Sequence, residues 1–195
     1  GLAIFCVAAA GGLLRLRPWR WHITHRDRLD GTGFILCAAI LVILVFDLLE
    51  GLAPPADADS LAYHLTLPRG FLDAGRIFFV PRAVDGAIPM LIHMSYLTAL
   101  GLGGETALTL WVMVTTWMAA MSLYMTCRHH LSPNWSLATA LLFLSTPAVL
   151  YGGGTGQMET RLVLFVLVAA VAMARAVGTG GVGYVAVAGL AAGFY

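Results

Sequence analysis

Apolar residues form long stretches along this chain, and shorter segments that carry charge separate them. Because a helix that crosses a bilayer needs about 20 mostly apolar residues, each long stretch is a candidate span. The candidates are a short stretch at residues 2–14 and the stretches at residues 33–52, 105–127, 136–151, 160–176 and 182–195. This pattern predicts an all-α fold, a polytopic bundle of transmembrane helices with residues 1–195 in a single transmembrane domain.

Basic residues set the expected orientation of this bundle. Residues 15–30, between the first two spans, contain five arginines and form the most basic connection in the chain. Short loops rich in basic residues stay in the cytoplasm. Alternation then places residues 53–104 and 152–159 on the extracytoplasmic side, and residues 128–135 and 175–181 in the cytoplasm. The basic flank follows the first apolar stretch, which is the opposite order to a cleavable signal peptide.

The first outer segment, residues 53–104, is far longer than the links of about two to eight residues that are usual between neighbouring helices. Its sequence favours two helices that lie along the membrane interface. Asp59 can cap the first, which extends to residue 74 and should bend at Pro68. Pro89 lies near the first turn of the second, at residues 88–102.

The alternative is that residues 88–102 cross the bilayer. This stretch offers only about 15 of the roughly 20 residues that a crossing requires. A crossing would also move residues 128–135 to the outer side. Three glycines limit the stretch at its end: Gly101, Gly103 and Gly104. We therefore favour the interfacial interpretation.

Composition excludes several classes of protein. The chain is 59% apolar and 11% charged, against roughly 45–50% and 25% for soluble domains, so a soluble enzyme, a disordered chain, a coiled coil and a collagen-like fibre are excluded. Its 11 basic residues are balanced by ten acids, which gives no support for nucleic-acid binding.

The cysteines, Cys6, Cys37 and Cys127, are interpreted as small core residues. The chain begins at Gly1 and ends within an apolar run, which favours an N-terminal fragment of a longer protein.

The acids beside the predicted spans are the first candidates for chemistry, because a carboxylate near a membrane core is costly. Asp57 and Asp59 follow the outer end of the 33–52 span and are explained either as helix caps or as a general base at the membrane surface. Glu159 opens the 160–176 span, where it either complements the helix dipole or joins those acids in one cavity. We interpret Asp47 and Glu50 as interfacial residues.

Basic and aromatic side chains of the outer segment are candidates for substrate binding. Outer loops rarely carry basic residues, yet this one contains Arg69, Arg76 and Arg82, which suit an anionic headgroup or a pyrophosphate, or anchor the chain by snorkelling. Tyr63, His64 and His93 lie in the two interfacial helices, and no histidine pair has metal-ligand spacing with a carboxylate, so we expect no metal site. The glycine-rich run at residues 152–156 lacks the GK[ST] ending of a phosphate loop.

The order of these features resembles the GT-C superfamily of polytopic glycosyltransferases, most closely its protein mannosyltransferase and aminoarabinose transferase branch. The resemblance covers roughly residues 33–176. It rests on Asp59-Ser60-Leu61-Ala62-Tyr63-His64 in the first outer loop, Gly75, the Pro-led stretch 89–100, and Gly103-Gly104-Glu105 at the start of a helix that ends at Arg128.

The resemblance implies inverting transfer of a sugar from a polyprenyl-phosphate donor on the outer face of the membrane. It implies that Asp59, four residues before Tyr63, is the catalytic carboxylate, and that Glu159 stands where relatives often have Asp. Some relatives place a Lys beside the Pro that opens the second interfacial helix, whereas this chain has Ile88 there and no lysine. Donor binding would then depend on arginine.

These sequence features leave three functions open. The first is the glycosyltransferase, an integral protein of a plasma membrane such as the bacterial inner membrane, with membrane lipid and a lipid-phosphate-linked sugar as partners and no further cofactor. The second is a transporter or flippase, which predicts broken helices and ionisable groups at the midplane. The third is a non-catalytic assembly subunit, which would not need paired acids in an amphipathic outer loop.

Overall fold

The structure is a computed structural model that describes residues 28–81 and 91–193. Within these two ranges the chain forms helices and no β-strand, which confirms the predicted all-α class. The elements are α1 (Gly31–Leu52), a π-helical turn (Ser60–His64), α2 (Thr66–Ala74), α3 (Leu91–Cys127), α4 (Pro133–Leu144), α5 (Pro147–Gly152), α6 (Glu159–Thr179) and α7 (Val182–Ala192). The predicted first span at 2–14, together with Arg82, Ile88 and Pro89, lies outside the described residues.

Three of these helices are long and apolar enough to cross a membrane: Gly31–Leu52, Ile92–Cys127 and Glu159–Thr179. The first and the last match the predicted spans at 33–52 and 160–176, and the second contains the predicted span at 105–127. The protein is accordingly a membrane protein by length and composition of its helices. Their exposed surfaces are apolar, as side chains that face lipid should be. Examples along α1 are Phe34, Ile35, Leu41, Val42 and Phe46.

Helix α3 folds back on itself at a pair of glycines. In a straight helix, the 16 residues from Ser95 to Trp111 would span about 24 Å, yet Trp111 Nε1 donates to Ser95 Oγ at 3.4 Å. The bend lies at Gly103 and Gly104, and Gly104 has φ 67° and ψ −156°, a region that is essentially restricted to glycine. Residues 91–102 and 105–127 are therefore separate arms, which agrees with the predicted end of the first helix at these glycines.

Two other predicted helices are irregular in the structure. The expected span at 136–151 is divided into α4 and α5, because Pro147 has no N–H to continue the hydrogen bonds of a helix. The expected helix from Asp59 to residue 74 contains a π-helical turn, and Leu65, which joins this turn to α2, has helical backbone angles. Pro68 lies in the first turn of α2, where a missing N–H costs little.

Packing at one end of the bundle holds the fold-back of α3 in place. Leu65 is buried against residues from both arms, namely Tyr96 and Leu100 from the first arm and Leu108 and Val112 from the second. This core anchors the first arm beside the second. It lies at the end where the chain leaves α1, because Thr109 Oγ1 donates to the Gly51 carbonyl at 2.6 Å.

The bundle thus has two ends with different residues. The Asp57 end comprises residues 51–59 and 152–159. The Arg175 end comprises residues 128–135 and 175–181, and it includes the start of α1, since Asn134 Nδ2 donates to Asp30 Oδ1 at 2.7 Å. Asp30 also caps α1 by accepting from the Gly33 N–H at 3.0 Å. The two predicted outer loops therefore share one end of the bundle.

Candidate functional site

The two predicted outer loops are in direct contact at the Asp57 end. Gln157 Nε2 donates to Asp57 Oδ1 at 3.4 Å, and Tyr96 Oη donates to the Gly156 carbonyl at 2.7 Å. The glycine at position 156 permits this contact, because a Cβ there would lie 2.6 Å from Ser60 Oγ. The structure thus joins the first interfacial segment, the first arm of α3 and the glycine-rich run in one polar cluster.

The two neighbouring aspartates have different roles in this cluster. Asp57 Oδ1 accepts from the Ser60 N–H at 2.8 Å and so caps the π-helical turn. Asp59 has helical backbone angles and makes no capping hydrogen bond with its side chain, which corrects the prediction that Asp59 is the cap. Its side chain is exposed. Capping therefore accounts for Asp57 and leaves the carboxylate of Asp59 accessible.

Arg161 is the most unusual side chain of the site. It lies in the first turns of α6 and is 1% exposed, with its guanidinium carbon 3.9 Å from the centre of the Tyr96 ring. Nη2 donates to the Gln157 carbonyl at 3.1 Å. Among the described residues, Nε and Nη1 have no hydrogen-bond acceptor. A buried cation with two unused donors is costly unless an anion completes the site.

Two buried histidines lie beside Arg161 and Tyr96. His64 Nδ1 and His93 Nε2 are 2.7 Å apart, and the two rings are stacked with centroids 5.0 Å apart. His93 also contacts the Tyr96 ring edge-on at 5.4 Å. His64 Nε2 is buried and has no partner among the described residues. Within this part of the chain, His64 therefore offers a third polar nitrogen without a partner, beside Nε and Nη1 of Arg161.

Charged side chains from both predicted outer loops affect the pKa of His64. Burial lowers the pKa of the His64 imidazole below its ordinary value of 6.5, because a charged ring would lose its hydration. The Glu159 carboxylate opposes this shift, the Arg161 guanidinium reinforces it, and the carboxylates of Asp59 and Asp57 oppose it more weakly. His64 thus lies within electrostatic reach of all three acids that the sequence identifies.

The glycine-rich run covers two further carboxylates on α1. Asp47 is buried and accepts from Trp117 Nε1 at 3.1 Å. Glu50 packs against Gly154, where a Cβ would lie 2.8 Å from the Glu50 side chain. Asp47 is thus buried within the protein, whereas Glu50 is exposed.

The remaining predicted residues are placed as follows. Arg69 is exposed and forms an ion pair with Glu105 at 2.8 Å, and Arg76 is exposed, while Arg82 lies outside the described residues. Tyr63 is tilted against His64 with ring centroids 4.1 Å apart. Glu159 is the first residue of α6 and is exposed, where it complements the helix dipole. The structure therefore joins Tyr63, His64 and His93, and places Arg69 and Arg76 on the surface.

Sequence reasoning missed Arg161, Tyr96 and Gln157. The signal for Arg161 was present, since it is the second residue of the predicted 160–176 span and a charge within a span is a functional candidate. Tyr96 and Gln157 could not be found, because their roles depend on contacts between segments about 60 residues apart.

The donor set of this site fits an anion better than a metal. Within residues 28–81 and 91–193, no group of three or more His, Cys, Asp or Glu side chains could hold a metal ion. The chain matches no model of a known protein family, no curated protein and no solved structure.

Proposed function

We propose that this chain belongs to a membrane glycosyltransferase that moves a sugar from a polyprenyl-phosphate donor to an acceptor, with inversion, on the extracytoplasmic face. The observation that supports this proposal is the buried guanidinium of Arg161, whose Nε and Nη1 have no acceptor among the described residues and suit a phosphate group. The donor presents such a phosphate at a membrane surface. The resemblance of residues 33–176 to the GT-C superfamily agrees with the same chemistry.

The proposed mechanism uses the Asp59 carboxylate as a general base and the Arg161 guanidinium as a stabilising cation. Asp59 takes the proton from the acceptor hydroxyl or amine as that atom attacks the anomeric carbon of the sugar. The bond from the anomeric carbon to the phosphate oxygen breaks, and the phosphate leaves with the electron pair. Arg161 stabilises the negative charge that grows on this phosphate. This role falls to Arg161 because Arg69 is already paired with Glu105.

The surrounding residues hold this arrangement in place. Tyr96 supports the guanidinium through its ring, and its hydroxyl fixes the backbone of the glycine-rich run. Asp57 keeps the π-helical turn formed, so that Asp59 stays in place two residues later. Glu159 orients the acceptor or Asp59 from the opposite loop.

A binding experiment with two lipids tests the proposal. Wild-type protein in micelles should bind a long-chain polyprenyl phosphate more tightly than the corresponding polyprenol, because only the former carries the anion. Arg161→Gln should remove this preference, with a loss of about ten-fold or more for the phosphate, as for one charge-assisted contact at a buried site. Arg69→Gln is the matched control and should keep the preference. Equal binding of both lipids to the wild type would contradict the proposal.

The buried carboxylate of Asp47 favours a second candidate, a cation-coupled transporter. Asp47 lies inside a membrane-spanning helix at 4% exposure, and buried acids of this kind often line ion pathways. The two candidates differ in the effect of Asp47→Asn. A transporter should lose its ion-driven flux in vesicles, whereas a glycosyltransferase should retain lipid-phosphate binding.

A further inference from the structure

Polar side-chain atoms that are buried and lack a hydrogen-bond partner are concentrated at one end of the bundle. Among the described residues, the side chains with such an atom at the Asp57 end or in the first turn of α6 are Asp57, Ser60, His64, Thr160 and Arg161. The remaining one, Asn134, lies at the Arg175 end. A buried polar group without a partner is costly. One ligand that reaches several of these atoms would account for their concentration.

Most of these side chains are enclosed, and most of their free atoms can donate. Ser60, His64, Thr160 and Arg161 are each at most 3% exposed. Hydroxyl groups and a guanidinium are hydrogen-bond donors, whereas the free oxygen of the half-buried Asp57 is an acceptor when the carboxyl group is ionised. The set therefore fits a ligand rich in acceptor atoms, such as the phosphate of the proposed donor.

The part that His64 plays in this set depends on which of its nitrogens carries the hydrogen. Burial lowers the pKa of the His64 imidazole, so the ring is uncharged at neutral pH and above and has one N–H. Its Nδ1 lies 2.7 Å from His93 Nε2, and so short a contact between two ring nitrogens requires a hydrogen on one of them. Either His64 Nδ1 donates and His64 Nε2 is bare, or His93 Nε2 donates and His64 Nε2 carries the hydrogen.

An ionised phosphate favours the second arrangement. Its oxygens accept hydrogen bonds and offer no hydrogen, so the lone pair of a bare His64 Nε2 would repel them. The charges around His64 act in the same direction once the phosphate is bound. The carboxylates of Asp57, Asp59 and Glu159 favour a hydrogen-rich imidazole and the Arg161 guanidinium opposes it, but a phosphate bound to Arg161 would neutralise that opposing charge.

One aromatic ring connects the two histidines to the guanidinium. The Tyr96 ring contacts His93 edge-on at 5.4 Å between centroids, and the Arg161 guanidinium carbon lies 3.9 Å from the centre of the same ring. We propose that His64 binds the donor phosphate through an N–H at Nε2, together with Arg161, and that His93 is the positioning residue that keeps the hydrogen there. This role of His64 rests on the proposed transferase function and adds a second phosphate-binding residue to it.

Lipid titration of the full chain in micelles at about pH 8 tests this proposal, because a phosphate monoester is a dianion at that pH. Long-chain polyprenyl phosphate is the probe, and the corresponding polyprenol is the neutral comparison. His64→Leu should raise the Kd for polyprenyl phosphate about ten-fold or more, as for a hydrogen bond to a charged group, and leave the Kd for polyprenol unchanged. His64→Gln should retain most of the affinity, because its amide can donate from a similar position. His130→Leu replaces an exposed histidine at the Arg175 end and is the matched control that should change neither Kd.

A second measurement determines the position of the hydrogen in the wild type, and it remains valid if His64→Leu does not fold. Nitrogen NMR of isotope-labelled histidine distinguishes a ring nitrogen that carries hydrogen from a bare one. With polyprenyl phosphate bound, His64 should carry hydrogen at Nε2 and have a bare Nδ1. His93→Leu should weaken this preference and raise the Kd by less than His64→Leu does. His93→Gln should restore both, because its amide can donate to His64 Nδ1.

The other outcomes overturn the proposal. If Arg161→Gln weakened phosphate binding and His64→Leu did not, the transferase site would stand without His64. A bare Nε2 of His64 in the complex would exclude it as a donor to the phosphate. If the wild type bound polyprenyl phosphate and polyprenol equally, the proposed function would fail, and the role of His64 with it. Complete displacement of the lipid by millimolar inorganic phosphate would assign the cluster to a soluble phosphate instead.

Discussion

At the residue scale, the structure separates the tasks of two aspartates that the sequence places side by side. Asp57→Ala should lower the free energy of unfolding by about 1 kcal/mol, because it removes the cap of the π-helical turn. Asp59→Asn should leave the unfolding temperature unchanged and lower turnover by roughly 10²–10⁴-fold, as for the loss of a general base. Thermal unfolding and sugar transfer measured on the same preparations check both effects.

Asp73→Asn is the control for this pair, since Asp73 is an exposed acid of α2. It should change neither stability nor turnover. If Asp59→Asn remained fully active while Asp57→Asn lost activity, the role of base would move to Asp57. Asn retains the oxygen that caps the turn, so such a loss could not be explained by a missing cap.

The buried His64 makes stability depend on pH. Its pKa is lowered in the folded protein, so as pH falls below about 6.5 the unfolded chain takes up a proton that the folded chain does not. The free energy of unfolding should therefore decrease between about pH 7 and about pH 5. His64→Gln removes this group and should flatten the decrease. Denaturant titrations at both pH values measure the difference, and equal slopes for the two proteins would contradict it.

The sequence singled out Asp57, Asp59 and Glu159 as candidates but not the buried Arg161. Asp57, Asp59 and Glu159 lie beside apolar spans, so their position alone marks them as unusual. Arg161 gains its significance from burial and from the Tyr96 ring, which belongs to another helix. Such long-range contacts cannot be predicted from local periodicity. The arginines of the first outer loop were proposed for anion binding instead, because outer loops rarely carry basic residues.

At the scale of elements, the fold-back of α3 depends on one backbone conformation. Gly104→Ala places a Cβ at φ 67° and ψ −156°, and this strain should lower the free energy of unfolding by about 1–3 kcal/mol. Gly189→Ala in α7 is the control, because a Cβ there meets nothing within 4 Å. It should stabilise the helix by up to about 1 kcal/mol. Unfolding of both variants in micelles provides the measurement, and equal stability would exclude a strained bend.

Apolar length predicted the long helices well and their interruptions poorly. Residues 33–52 and 160–176 are recovered within a few residues as α1 and α6, because a continuous apolar run has few alternatives in a membrane. The break between α4 and α5 was missed, although Pro147 marks it. The bend at Gly103 and Gly104 was expected, since consecutive glycines after a short apolar run are a strong signal to end a helix.

At the scale of the whole molecule, the charges predict which end of the bundle faces the cytoplasm. The Arg175 end contains Arg28, Arg128 and Arg175 but one described acid, Asp30. Because basic loops remain in the cytoplasm, the Asp57 end should be extracytoplasmic. Contacts between residues 57–60 and 156–157 require both outer loops to lie on that same side. Labelling of introduced cysteines tests this arrangement once Cys6, Cys37 and Cys127 are replaced by alanine.

Cysteines at Ala58 and Met158 should react with an impermeant maleimide in intact cells, whereas a cysteine at His130 should react only after the membrane is permeabilised. All three positions are suitable, because Ala58 and His130 are exposed and Met158 is half-buried at the start of α6. Labelling of Ala58 and Met158 from opposite sides would contradict the contact between the loops, and with it the site. If both positions were labelled only from the cytoplasm, the contact between the loops would stand, but the Asp57 end would face the cytoplasm. A donor presented on the extracytoplasmic face could then not reach Arg161.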